Sequence, residues 1–140
     1  MGKLDGSCLC GSVTYRCDAE PLVTAICHCT DCQKQTGTSF SIVVAVPREA
    51  FEVSGDTLAT FQTIGTDTKL PVDRRFCSAC GSPIASLPEA MPGIALIKAG
   101  TLEDRSWLRP EIEAWCSSAQ PWIELDEERR GCFPRGVPTG

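Results

Sequence analysis

Apolar and polar positions alternate over short stretches of this chain, and hardly anywhere do they recur at helical spacing. From Ser7 onward the alternation sets Val13 and Tyr15 on one face of an extended segment, with Ser12, Thr14 and Arg16 on the other. A second short strand is predicted over 22–26, opened by Pro21. Residues 30–36 then turn polar and helix-tolerant, with Gly37 placed as a C-terminal cap. Residues 39–46 are β-branched and apolar, the pattern of a buried strand, which stops at Pro47. Further strands are predicted over 51–56, 58–64, 68–76, 83–87, 94–99 and 111–116, with a hairpin-like break at Gly65-Thr66-Asp67.

Many short strands, 12 glycines, 10 prolines and one or two helical turns predict a single, mainly β domain. No repeat or linker interrupts it. Residues 1–125 form its body, and 126–140, charged and then Pro/Gly-rich, are expected to wrap the surface or fray. A hydrophobic content of 42% with 22% charged residues fits a globular protein with a real core. The balance of 13 basic against 18 acidic residues, net −5, removes the bulk electrostatic case for nucleic acid. It leaves room for a local basic pocket. The longest apolar run, 42–47, is far short of the ~20 residues of a membrane span. With no apolar leader near Met1, the expectation is a cytoplasmic protein, monomer or homodimer.

Composition then raises one demand: ten cysteines need a reason. In a reducing compartment they read as metal ligands or reactive thiols rather than a disulfide framework. Cys8 and Cys10, at i and i+2 of a strand, would aim both sulfurs at one ion. Cys77-Ser78-Ala79-Cys80-Gly81 has the spacing of a zinc knuckle, and Pro83 denies it the strand-to-helix context of a redox C-x-x-C. The two pairs together make a closed four-thiolate set, the composition of a structural zinc. Cys27, Cys29 and Cys32 make a second set with no obvious fourth ligand, and an incomplete set is the mark of a catalytic or exchangeable metal. Three thiolates on Zn²⁺ leave a net −1 centre, a poor generator of hydroxide but a good host for a soft fourth ligand such as a substrate thiolate. His28, the single histidine, should point away from Cys27 and Cys29 and support the site rather than ligate. Lys34, Lys69, Arg74, Arg75 and Lys98 are candidate pocket cations; Arg74 and Arg75 could equally offset the charge of the four-cysteine site. Cys17, Cys116 and Cys132 have no partners in sequence and read as packing or surface residues.

Three blocks carry a resemblance: Cys8-Leu9-Cys10-Gly11-Ser12-Val13-Thr14-Tyr15; Cys27-His28-Cys29-Thr30-Asp31-Cys32 with Gly37 and Phe40; and Phe76-Cys77-Ser78-Ala79-Cys80-Gly81. In this order they resemble the glutathione-dependent formaldehyde-activating enzyme family, which includes the centromere protein V-like proteins. The resemblance implies a β-tent (Mss4-like) zinc fold with two Zn²⁺ per chain. Cys8, Cys10, Cys77 and Cys80 would hold the structural zinc, and Cys27, Cys29 and Cys32 the catalytic one. It further implies glutathione or a glutathione adduct as partner. The reaction implied is of carbon–sulfur lyase type, the formation of S-hydroxymethylglutathione from glutathione and formaldehyde. A non-enzymatic zinc module that docks other proteins is the alternative on the same fold.

Overall fold

The computed structural model describes residues 3–126 and 130–137. An antiparallel three-stranded sheet comprises β1 (Leu4–Ser7), β2 (Thr14–Cys17) and β5 (Phe51–Ser54), in the order β1-β2-β5. The remaining strands are β3 (Val23–Cys27), β4 (Ser41–Pro47), β6 (Leu58–Ile64), β7 (Pro71–Cys77), β8 (Pro83–Pro88), β9 (Ile94–Lys98), β10 (Ile112–Ala114) and β11 (Gly131–Cys132). They form an eight-stranded sheet in the order β11-β10-β3-β4-β9-β8-β7-β6. One helix, α1 (Thr30–Thr36), follows β3 and ends, as its sequence predicts, at Gly37 in the left-handed region. The mainly β, single-domain architecture is the one expected.

The alternation that defines the strands also assembles the core. Leu4, Val13, Tyr15 and Cys17 lie in one buried cluster with Val44, Val46, Ala85, Ala95 and Ile97 of the larger sheet. Ile84, Ile97 and Leu102 are among the largest fully buried side chains, each contributing roughly 1.5–3 kcal/mol of apolar burial. Register decides what faces the other way. Cys27 pairs with Ser41 and Val43 with Lys98, so Cys27, Ser41 and Lys98 share the face opposite Val44 and Ile97.

Three strand predictions shift. Cys8-Leu9-Cys10 lies in the turn between β1 and β2, not in a strand: Cys8 N–H donates to Val13 O (3.0 Å) and Gly11 N–H to Cys8 O (3.2 Å), with Gly11 at φ 82°. The strand predicted from 68 begins at Pro71, because Lys69 takes φ 61° in a turn closed by Gly65 N–H on Leu70 O. The last predicted strand contracts to Ile112–Ala114, because Trp115 enters the left-handed region at φ 57°.

The end of the chain adds a strand that alternation does not announce. β11 pairs in parallel with β10, which itself pairs in parallel with β3. Its register sets Cys132 opposite Glu113, and Cys132 is disulfide-bonded to Cys116 with Cα atoms 6.4 Å apart. The expectation that these two cysteines lack partners is therefore corrected. They lie 16 positions apart in sequence, and the parallel pairing, with Cys116 N–H donating to Phe133 O (2.9 Å), brings them together. Arg135 stacks over Trp115 (4.7 Å) and ion-pairs with Asp67, tying this segment to the β6–β7 turn. Cys17 is a fully buried packing residue, as expected.

Candidate metal centres and the groove beside them

Two cysteine clusters form, with the memberships predicted. In the first, the sulfurs of Cys8, Cys10, Cys77 and Cys80 all lie within 4.8 Å of one another. Two similar turns present them. Cys77 N–H bonds Ser82 O (2.9 Å) and Gly81 N–H bonds Cys77 O (2.7 Å), with Gly81 at φ 82°, matching the Cys8–Gly11 turn. The i, i+2 convergence predicted for Cys8 and Cys10 is thus achieved by a turn rather than by a strand face. The Ser12 and Thr57 hydroxyls, 3.5 and 3.1 Å from Cys77 Sγ, pull its thiol down to about 5. Ser82, 3.2 Å from Cys80 Sγ, brings that thiol to about 7. The spacing suits a metal. Zn–S bonds of about 2.3 Å give a tetrahedral S···S edge of about 3.8 Å; the Cys8–Cys10 and Cys10–Cys77 separations are 3.6 and 3.8 Å.

The second cluster is built where β3 runs into α1. Cys27 ends the strand, Cys29 is the N-cap of the helix, and Cys32 lies in its first turn. The Cys29 sulfur accepts the Cys32 N–H at 3.2 Å, so capping itself folds the loop that gathers the thiols. The three sulfurs lie within 4.8 Å of one another, and among the described residues no fourth His, Cys, Asp or Glu joins them. Hydrogen bonds from Cys27 and Cys29, with Lys98 and Arg74 nearby, hold the Cys32 thiol far below its ordinary value. Cys27, which donates in that arrangement, is pushed up correspondingly.

Buried partners fix this loop. His28, 0% exposed, is turned to Glu113 (Nε2···Oε1 2.8 Å), and its ring edge meets Phe40 at 5.6 Å. The His28 N–H donates to Ala114 O (3.0 Å), while the Gln33 amide donates to His28 O (2.7 Å) and Ser118 O (3.0 Å). Glu113 is held in turn by Asp126 N–H (3.2 Å) and Arg130 Nη1 (3.0 Å). Burial alone would raise the Glu113 pKa; the bonds from His28, Asp126 and Arg130 outweigh it and hold the carboxyl below its usual range. Sequence reasoning missed Glu113 as a site residue. The one available signal was an acid inside an otherwise apolar strand.

The five candidate cations separate cleanly. Arg74 and Lys98 are 6% and 5% exposed and sit at the three-cysteine cluster. Arg74 Nη1 is 3.8 Å from Cys32 Sγ and its Nη2 is 3.9 Å from Asp31, so Arg74 does not serve the four-cysteine site. Lys98 Nζ donates to Ser41 Oγ (3.0 Å), and burial lowers its pKa. Lys34 and Lys69 are exposed, and Arg75 is half-buried. A groove of about 570 Å³ is lined by Phe40, Ser41, Ile42, Lys98, Gly100 and Thr101 among others, and so shares Ser41 and Lys98 with the sheet face that carries Cys27. No helix among the described residues is long and apolar enough to cross a membrane.

Comparison with known proteins agrees with this geometry. A sequence model described as "Glutathione-dependent formaldehyde-activating enzyme" matches residues 3–118. A Podospora anserina protein provisionally named as such an enzyme is 32% identical over 66% of this chain and 43% of its own length. Relatives with the same provisional name from Penicillium rubens and Halomonas elongata are 26% and 25% identical, over 99% and 93% of this chain and 74% and 86% of their own lengths. The chain thus spans less than half of the Podospora relative and most of the other two. A crystal structure of a Rhodobacter sphaeroides protein superposes with a TM-score of 0.57 at 23% identity, over 76% of this chain and 91% of that one, and shares the fold. By sequence over most of its length, the chain belongs to the glutathione-dependent formaldehyde-activating enzyme family.

Proposed function

We propose that this protein is a zinc-dependent enzyme of the carbon–sulfur lyase type that acts on glutathione adducts, making or breaking S-hydroxymethylglutathione from glutathione and formaldehyde. Cys8, Cys10, Cys77 and Cys80 are its structural zinc ligands, and Cys27, Cys29 and Cys32 hold the second zinc. The family and the names of its members support the reaction. One observation of the chain itself carries the assignment of roles. The three-cysteine cluster converges, and among the described residues no fourth donor, His28 included, joins it.

When bound there, zinc would accept the substrate sulfur at its open position and stabilise it as a thiolate. The chain's own residues do the rest. The Cys29 cap and the His28–Glu113 contact hold the three sulfurs in place before substrate arrives, so little reorganisation accompanies capture. Arg74 and Lys98 supply two positive charges against the thiolate-rich centre. The groove lets a thiol with a peptide-sized body approach from the side of Phe40 and Ser41. A docking module would need the four-cysteine site alone; three further clustered thiols flanked by buried cations are chemistry it does not use.

Two measurements test the reading. Metal analysis should give close to two zinc per chain, and exchange NMR on glutathione with formaldehyde should show faster interconversion when the protein is added. One tight zinc per chain, no calorimetric binding of glutathione and an unchanged exchange rate would together refute it.

A further inference from the structure

Lysine and arginine are almost never fully buried without a full set of partners, yet Lys98 and Arg74 are 5% and 6% exposed. Lys98 makes one hydrogen bond, to Ser41, and among the described residues no carboxylate lies within ion-pair reach of it. Beside them a second anomaly stands. Ser86, 4% exposed, has a buried hydroxyl with no hydrogen-bond partner. Register places these groups together: Arg74 pairs with Ser86, Ser86 with Leu96, and Leu96 shares its face with Lys98. The same face continues to Ser41 and Cys27. A row of polar groups therefore crosses the sheet and ends at the thiols; Arg74 is engaged by Thr63, Cys32 and Asp31, while Lys98 and Ser86 keep unused hydrogen-bonding capacity. Its Lys98 and Ser41 also line the groove.

Counter-charge for the cysteines does not account for the whole of this row. With Asp31 beside Arg74, the three thiolates, one Zn²⁺ and the two cations sum to zero, so what the row offers a ligand oxygen is its unused N–H and O–H groups rather than a surplus of positive charge. That oxygen's place does not fit a carboxylate of a bound tripeptide, which lies many bonds from its sulfur. A group one carbon from the sulfur fits better.

We propose that Lys98, backed by Arg74 and Ser86, forms an oxyanion subsite beside the three cysteines, and that it hydrogen-bonds the oxygen carried on the carbon joined to the substrate sulfur. The ligand class is the hemithioacetal, S–C–O, and the proposal rests on the function proposed above. The bonds balance simply. The thiol releases its proton on binding, and a sulfur lone pair forms the C–S bond to the aldehyde carbon. The carbonyl π pair moves onto oxygen, where the Lys98 N–H meets the developing charge, and the alkoxide takes a proton from groove water. Lys98 stays an ammonium throughout and acts as a fixed donor.

The test uses full-length wild type, Lys98→Met and Lys98→Arg. Exchange NMR at saturating glutathione should show the methionine variant slowed on the order of a hundredfold, the effect of removing one oxyanion donor. Its glutathione affinity should stay within about twofold, since the contact forms with the adduct oxygen and not with the free thiol, and arginine should restore part of the rate. A second arm needs neither formaldehyde nor catalysis. Cobalt-substituted protein is titrated with thioglycolate and with ethanethiol, thiols of similar acidity that differ in an oxyanion near the sulfur, and followed by the sulfur-to-cobalt absorption band. Wild type should prefer thioglycolate about tenfold, a typical worth of one charge-assisted hydrogen bond, and Lys98→Met should abolish the preference. Equal affinity of wild type for the two thiols overturns the proposal. So does a methionine variant that loses glutathione affinity while its rate per bound thiol is unchanged. If wild type fails to speed the exchange, the proposed function falls, and the thiol titration still judges the subsite.

Discussion

Replacing Glu113 with alanine removes three hydrogen bonds from a side chain that is 1% exposed. The partners lose unequally. Asp126 N–H and the Arg130 guanidinium, whose side chain is 26% exposed, can turn to water, so their share is about 1 kcal/mol or less. His28, at 0% exposure, cannot, and its stranded N–H costs roughly 1–3 kcal/mol. The vacated side-chain volume adds about 1 kcal/mol. A total of roughly 2–5 kcal/mol follows, overlapping the range for breaking a buried charged contact from one side. Glu113→Gln, which keeps the volume and one acceptor for His28, should lose about half as much. The assay is urea unfolding of the zinc-loaded protein at pH 7, read by tryptophan fluorescence. The sign with pH is fixed by the lowered Glu113 pKa. A carboxyl held below its unfolded value, near ~4.3, contributes stability that is complete above that value and lost as pH falls through the folded one. The gap between wild type and Glu113→Ala should therefore narrow below about pH 4. A loss under ~1 kcal/mol at pH 7, below any of the buried terms just summed, would refute the account of how this loop is held.

The two cysteine clusters should respond differently to single substitutions. Cys80→Ser should lower folded yield and unfold readily with chelator, because ligation at a closed site is part of the folding free energy. Cys29→Ser should keep the far-ultraviolet circular dichroism and one tight zinc but lose glutathione capture; equal unfolding by both would end the two-role division. Cys132→Ser should lower stability by about 3 kcal/mol, the chain-entropy worth of a loop this short, and adding reductant to that variant should change nothing more. Gly6→Ala would press a methyl group onto Thr101 O and the Tyr15 hydroxyl, where β1 makes an isolated bridge to Leu102. Overpacking of about 1–3 kcal/mol should appear as a lower unfolding midpoint, and a neutral result would show that β1 can move away.

Local patterns made the body of the fold legible. Val13 and Tyr15 alternate into the core because a half-buried strand demands it, and Gly37 and Gly81 stand where positive φ is required. Both cysteine clusters could be read from spacing, since each is made from pairs close in sequence. Local pattern says nothing, however, about which strands become neighbours. Ile112–Ala114 is too short to declare a parallel partner, so Glu113 gave no sign that it would meet His28, nor Cys116 that it would meet Cys132. Arg74 and Lys98 look like ordinary surface charges until the β7-β8-β9-β4 order turns them toward the thiols. The cysteines at 8 and 10 carried a different lesson: the convergence was right although its cause was a turn, because a knuckle and a strand can satisfy the same i, i+2 spacing.

The placement of β10 also orders events in time. β3 finds one neighbour, β4, immediately down the chain, whereas Thr24 and Glu111, which hydrogen-bond across the other seam, are 87 residues apart. Such a distant parallel pairing forms late, after nearer contacts have closed. All seven ligand-type cysteines have been made by residue 80, so the knuckle pairs can close around their ion while synthesis continues. The loop carrying Cys27, Cys29 and Cys32 must wait for Glu113 and Ala114 to arrive and hold His28. For that interval the reactive thiols are the least protected part of the nascent chain, open to oxidation and to whichever soft metal reaches them first.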